Sequence, residues 1–244
     1  IDLTGSGNNT LTLNVFDVLD MAGMNHFNNA TGWTDGTYNL AAGGANGVNP
    51  EQRHQLAVLG NTGDALVLPD ATNWSNAGTV NNGGRTYAVF NHGAAAAQIL
   101  IDSALDLGLT GTAGNDALSG GAGNDTLEGG NGNDLLNGAL GNDVYRYVLG
   151  SGHDVITDSG GVDTLELDDS AGDDGWDLYR SGNDLILEFY GQGRITVKDQ
   201  FLGAPIIETL AFPDGDPPYT FSNSLSGSPG NDVLIGTSSG EAIN

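Results

Sequence analysis

From Gly111 to Arg146 the chain repeats one pattern of small, polar and apolar positions every nine residues: GTAGNDALS, GGAGNDTLE, GGNGNDLLN and GALGNDVYR. Position four is always Gly, position five Asn and position six Asp. Position eight carries the large side chain, Leu118, Leu127, Leu136 and then Tyr145. A fixed period in backbone type, charge and hydrophobicity together marks stacked supersecondary units. Each unit predicts a turn, then a short strand at positions seven to nine whose position-eight side chain enters a narrow core.

Either side of this stretch the pattern changes to plain alternation. Residues 1–106 read as all-β, with apolar-alternating runs in LTLNVFDVLDM, HQLAVLGNTGDALVL, RTYAVF and AQILID separated by Gly/Asn turns, and one short helical turn at Asp17–Met21. That order predicts a meander or a small β-sandwich. It is interrupted between Gly23 and Arg53 by a Gly/Asn/Ala-rich insertion holding His26, Phe27, Trp33, Asp35 and Tyr38. Long loops of this kind are functional or disordered. The aromatics either stack on a sugar or clasp a peptide, or pack back onto the sheet, and loop statistics favour the second. Past Arg146 the repeat decays: LGSGHDVIT at 149–157 keeps Gly152, Asp154 and Ile156 after a two-residue slip, and DSGGVDTLE at 158–166 keeps Asp163 and Leu165. From Trp176 two alternating strands joined by Gly-Gln-Gly predict a hairpin. The last residues restart the pattern with GSPGNDVLI, which includes Asp232.

The chemistry follows from the turn residues. Glycine permits the positive φ that a Cβ disfavours, and Asn tolerates the left-handed region. Asp116, Asp125, Asp134 and Asp143 each put one hard anionic oxygen at a turn, and the turn carbonyls add more, an oxygen-only set that suits Ca²⁺ better than a soft metal. Stacked aspartates repel one another unless a cation lies between them. The composition sharpens this: 31 acidic residues against six basic ones give a net charge of −25 over 244 residues, and Lys198 is the only lysine. Such a field excludes nucleic acid and an anionic membrane surface, unless Ca²⁺ bridges to it. There are no cysteines, so stability must come from packing and metal. No apolar run reaches membrane-spanning length and no signal peptide opens the chain; the two ends read as cuts within a longer protein, of which this chain is a monomeric segment.

The nine-residue pattern resembles the repeats-in-toxin (RTX) nonapeptide GGxGxDxUx. The resemblance implies a Ca²⁺-loaded parallel β-roll in a protein exported by type I secretion, with successive units on alternate sides and each ion between units i and i+2. Carried onto this chain, Asp116 pairs with Asp134 and Asp125 with Asp143, the turn carbonyls of Gly114, Gly123 and Gly132 belong to the metal set, and Asp154, Asp163 and Asp232 extend it. About six rungs and up to four ions are then expected. The segment after the roll resembles the cap that follows such repeats. Residues 1–105 are similar to repeat domains of giant type I-secreted bacterial adhesins, departing from them at the insertion. The fold expected is therefore all-β: a β-sandwich-like domain at 1–106 with an inserted loop at 23–53, a parallel β-roll at 107–166, a capping hairpin segment at 167–222, and a second repeat block beginning at 223–244.

Enzymatic readings lack their central residues. Ser151, His153 and Asp154 are adjacent on one turn, which does not make a triad, and neither GxSxG nor HExxH occurs. The four histidines stand singly, and the acidic clusters at 168–169, 173–177 and 214–216 are either further Ca²⁺ sites or solvated loops, such runs being more often the second. Position three runs Ala113, Ala122, Asn131, Leu140, which breaks any flat threonine row for ice. The expectation is a non-catalytic, calcium-dependent module of a secreted or surface adhesin, with several Ca²⁺ ions and a sugar or peptide ligand at Trp33, Asp35 and Tyr38. The alternative is the secretion and folding tail of a secreted RTX enzyme. Adhesin-like residues 1–105 favour the first.

Overall fold

The computed structural model describes the chain except residues 5, 22, 25–26, 29–31, 34–53, 62, 69–70, 83, 96, 169–175, 205, 213–217, 222–232 and 235–244. It divides into two units: Ile1–Gly108 with Gly121–Gly123, and Leu109–Gly120 with Asn124–Asn244.

The first unit runs β1 (Thr10–Thr12), α1 (Val15–Met21), β2 (Gly23–Met24), β3 (Phe27–Asn28), β4 (Gly32–Trp33), β5 (His54–Val58), β6 (Ala65–Leu68), β7 (Trp74–Asn82), β8 (Arg85–His92), β9 (Ala97–Asp102) and β10 (Asp106–Thr110). Only part of it is a meander. Strands β7, β8 and β9 follow one another antiparallel, but β5 lies parallel to β9, in the order β2-β5-β9-β8-β7. The runs flanking GNTGD enter different sheets: β6 leaves β5 to pair parallel with β1 and to neighbour β10. The core comes from alternate positions, with Val80, Tyr87, Val89 and Leu100 clustered on one face of the five-stranded sheet. Helix α1 begins two residues earlier than the sequence reading because Asn14 and Asp17 form a reciprocal cap. Asn14 Oδ1 accepts the N–H groups of Phe16 and Asp17, while Asp17 Oδ2 accepts the N–H of Asn14.

The second unit is a parallel roll. Its strands are β11 (Ala117–Ser119), β12 (Thr126–Glu128), β13 (Leu135–Asn137), β14 (Val144–Tyr147), β15 (Gly152–Thr157), β16 (Thr164–Leu167), β17 (Trp176–Ser181), β18 (Asp184–Phe189), β19 (Gly193–Val197), β20 (Thr209–Ala211), β21 (Tyr219–Thr220) and β22 (Val233–Leu234). Strands of alternate repeats go to alternate sheets: β11, β13 and β15 line up parallel in one, β12, β14 and β16 in the other. The register is set by the repeat. Leu118 faces Leu136, two nine-residue units on; after the two-residue slip Leu136 faces Ile156 and Tyr145 faces Leu165. All five of these side chains are buried between the sheets.

The segment expected to be a capping hairpin does more. It has three strands where alternation predicted two, because Ser181–Asp184 is a turn with Gly182 at φ 66° that splits one run. Strands β17, β18 and β19 form an antiparallel ribbon, but β19 joins β15 in parallel and β20 joins β16 in parallel. The stack is thereby extended by one more rung on each side before antiparallel pairing ends it. At the far end, Val233–Leu234 pairs antiparallel with Leu178 and Tyr179.

Candidate metal centre

The aspartates at position six stack into two columns, one on each side of the roll. In the first, the Asp116 N–H donates to Asp134 Oδ1 at 2.8 Å, and the Asp134 N–H donates to Asp154 Oδ1 at 3.0 Å. In the second, Asp125 N–H donates to Asp143 Oδ1 at 2.7 Å, Asp143 N–H to Asp163 Oδ1 at 2.7 Å, and Asp163 N–H to Glu208 Oε2 at 2.7 Å. From Asp134 and Asp143 onward each carboxylate so caps the backbone of the column's preceding turn. The neighbouring Asn column bonds in the opposite direction, each side chain capping the turn two units after it: Asn115 Oδ1 accepts from Asn133 N–H, and Asn133 Oδ1 from His153 N–H. Asn124 and Asn142 repeat this on the other side, until Val162 offers no acceptor.

In Asp134 and Asp143 these bonds use Oδ1 and leave Oδ2. Asp134 and Asp143 are 0% and 1% exposed, and the Oδ2 of each has no hydrogen-bond partner. An ionised oxygen buried without a partner is costly unless a cation or a proton meets it. The first carboxylate of each column faces oxygen too. Against Gly120, a Cβ would sit 2.2 Å from Asp125 Oδ2 and 2.6 Å from the Gly138 carbonyl; against Gly111, 1.9 Å from the Gly129 carbonyl and 2.9 Å from Asp116 Oδ2. Position-one glycine therefore leaves a cradle where the carboxylate of its own unit meets a carbonyl from two units on. Position-four glycine is fixed by a second close approach: Gly132 has φ 131°, and a Cβ there would meet the Gly114 carbonyl at 2.3 Å.

The electrostatics match. Burial raises the carboxyl of Asp143 to about 8, with Asp125, Asp158 and Asp163 adding to it. Burial likewise lifts Asp154 and Asp163 to about 6, and Asp134 in the same direction. The five described basic side chains are engaged away from these columns. Arg85 meets Asp102, Arg146 meets Glu166, Arg194 meets Glu188, Lys198 meets Asp184, and Arg180 lies over the Phe201 ring. The columns' charge is left to protons or a metal. A hard dication bound there supplies the missing positive charge and accepts the unused oxygen lone pairs. The residues present fit Ca²⁺.

Of the sequence-predicted residues, Asp116, Asp134 and Asp154 come together in one column, and Asp125, Asp143 and Asp163 in the other. The carbonyl of Gly114 stacks on Gly132, whereas a Cβ on Gly123 would meet the Leu105 carbonyl at 2.1 Å. Asp232, Asp35 and Tyr38 lie outside the described residues. Trp33 sits opposite Phe27 in the two-stranded β3–β4 ribbon. Two residues were missed. Asp158 brings a carboxylate oxygen within 4.8 Å of those of Asp143 and Asp163, and Glu208 closes the column's end. Asp158 occupies a position that the pattern reserves for glycine. Glu208 lies 45 residues from Asp163 across non-repeating chain, so no spacing pointed to it.

The family model of the RTX calcium-binding nonapeptide repeat (four copies) matches residues 110–145, 148–171 and 219–239. Among curated proteins none matches the chain. Among the described residues no helix is long and apolar enough to cross a membrane. With the matched segments covering all six column aspartates, the chain carries RTX calcium-binding nonapeptide repeats.

Proposed function

We propose that this chain is a non-catalytic, calcium-dependent extracellular module of a type I-secreted RTX adhesin, which folds on Ca²⁺ outside the cell and supports attachment to a surface. RTX repeats imply calcium-dependent function in a secreted protein. The observation that carries the reading furthest is the pair of buried, partnerless oxygens, Asp134 Oδ2 and Asp143 Oδ2. Where Ca²⁺ is scarce the aspartates repel and the roll is unstable. At an external ~10⁻³ M, sites with dissociation constants of ~10⁻⁴–10⁻³ M fill, and binding to the folded state alone drives folding. The adhesin assignment rests on the resemblance of residues 1–105 and on a non-repeating β unit preceding the roll. A sugar or peptide ligand is assigned to the insertion at 23–53, with Trp33, Asp35 and Tyr38.

Circular dichroism during a calcium titration, with calorimetry for stoichiometry, tests the first part. A cooperative gain of β-signal with several ions per chain is expected. Full β-signal in EGTA with no calcium uptake would sink the proposal. Sugar and peptide arrays probed in calcium and in EGTA test the second part: calcium-dependent retention is expected, and blank arrays in both conditions reduce the module to a spacer or an export tail.

A further inference from the structure

Position one is glycine in all four regular repeats, Gly111, Gly120, Gly129 and Gly138, but the unit at 158–166 opens on Asp158. Its carboxylate turns into the second column, where one oxygen each from Asp143, Asp158 and Asp163 lie within 4.8 Å of one another. A cluster of acids alone would mean little. Here Asp143, only 1% exposed, also aims a partnerless Oδ2 into the cluster. Asp143 Oδ2 and Asp158 Oδ2 converge on one place: a Cβ on Gly138 would lie 2.1 Å from the first and 2.6 Å from the second.

Asp158 is also held in place. Tyr145, the one position-eight residue of the regular repeats that is not Leu, reaches across the roll with its phenol oxygen. That oxygen accepts the Gly138 N–H at 2.7 Å, and the hydroxyl donates to Asp158 Oδ2. The other Asp158 oxygen, Oδ1, accepts the Gly160 N–H at 2.7 Å. A leucine at 145 would leave Asp158 Oδ2 without this partner.

We propose that Asp143, Asp158 and Asp163 form a three-carboxylate calcium site, in which Asp158 is a ligand beyond the nonapeptide pattern and Tyr145 is a positioning residue. Oxygens up to about 4.8 Å apart can share one ion when each Ca–O distance is about 2.4 Å. Affinity at calcium sites follows ligand charge, so this turn fills at lower calcium than turns with two aspartates. The same third charge adds repulsion when the metal is gone. Asp158 therefore acts in opposite directions on the two states.

The test uses the whole chain, with calcium titrations by calorimetry and urea midpoints in EGTA and in calcium, for the wild type, Asp158→Asn and Tyr145→Phe. Asp158→Asn keeps an oxygen for the Gly160 N–H and an amide that the Tyr145 oxygen accepts, so the turn itself survives. Expected are a loss of about tenfold in affinity at the tightest site with the weaker sites unchanged, a higher urea midpoint in EGTA and a lower one in calcium. Tyr145→Phe should weaken the same site by less. An unchanged titration, or midpoints that fall in both conditions as for a simple turn cap, would overturn the proposal. A wild type that takes up no calcium would overturn it together with the calcium reading of both columns.

Discussion

Asp143 keeps its proton up to about pH 8 because burial strips water from the carboxyl and because Asp125, Asp158 and Asp163 stand near it. Asp154 and Asp163 behave alike up to about 6. A folded-state pKa above the unfolded one means the metal-free fold takes up protons. That contribution is complete below about pH 4 and is lost as the pH climbs through about 6 and then about 8. In EGTA the urea midpoint should accordingly fall between pH 5 and pH 8, and Asp143→Asn should flatten the upper part of that fall. Calcium added at pH 7 should expel protons, visible as a buffer-dependent binding enthalpy. A midpoint that rises with pH in EGTA would contradict the assignment. The six column aspartates were legible because each repeats with a glycine two residues before it, and four of them with an asparagine between. Asp158 was not, since at a glycine position a carboxylate reads as decay of the repeat, and only Tyr145 reaching across the roll shows where it points.

At the scale of the element, the strands of the roll follow from one apolar position per nonapeptide. Leu127 has no exposure and lies opposite Tyr145 in the neighbouring rung. Leu127→Ala removes that contact in a core one side chain deep, with little nearby to collapse inward. It should cost about 2–5 kcal/mol of calcium-loaded stability by urea denaturation. A loss well below 1 kcal/mol would mean that the rungs are held by metal and backbone alone. Elsewhere alternation identified strands better than their partners. The run His54–Val58 is legible as a strand, yet its parallel alliance with β9, more than forty residues on, leaves no local trace. The Asn14–Asp17 cap stands in the sequence as N-V-F-D and fixes the helix start, although the apolar run around it continues the strand-like alternation. The cap of the roll was read as one hairpin because the Ser-Gly-Asn-Asp turn at 181–184 is flanked by residues that continue the alternation.

At the scale of the molecule, the charge of −25 and the columns of buried aspartate make the second unit's stability conditional on its solvent. Parallel register carries a mechanical corollary. Neighbouring strands in each sheet stand about 4.8 Å apart and come from alternate repeats, so one nonapeptide accounts for about 2.4 Å of stack length. Freed and drawn out, the same nine residues span about 30 Å. Under tension along its length the roll is a spool, lengthening by more than tenfold per rung released, and calcium is the brake that sets the force of each release. Pulling single chains should show a train of steps of about 30 Å or its multiples in calcium and a smooth, low-force extension in EGTA. One abrupt opening of the whole stack in calcium would mean that the rungs yield together. If the spool turns rung by rung, a tether built on this unit would absorb a tug by lengthening before its attachments part.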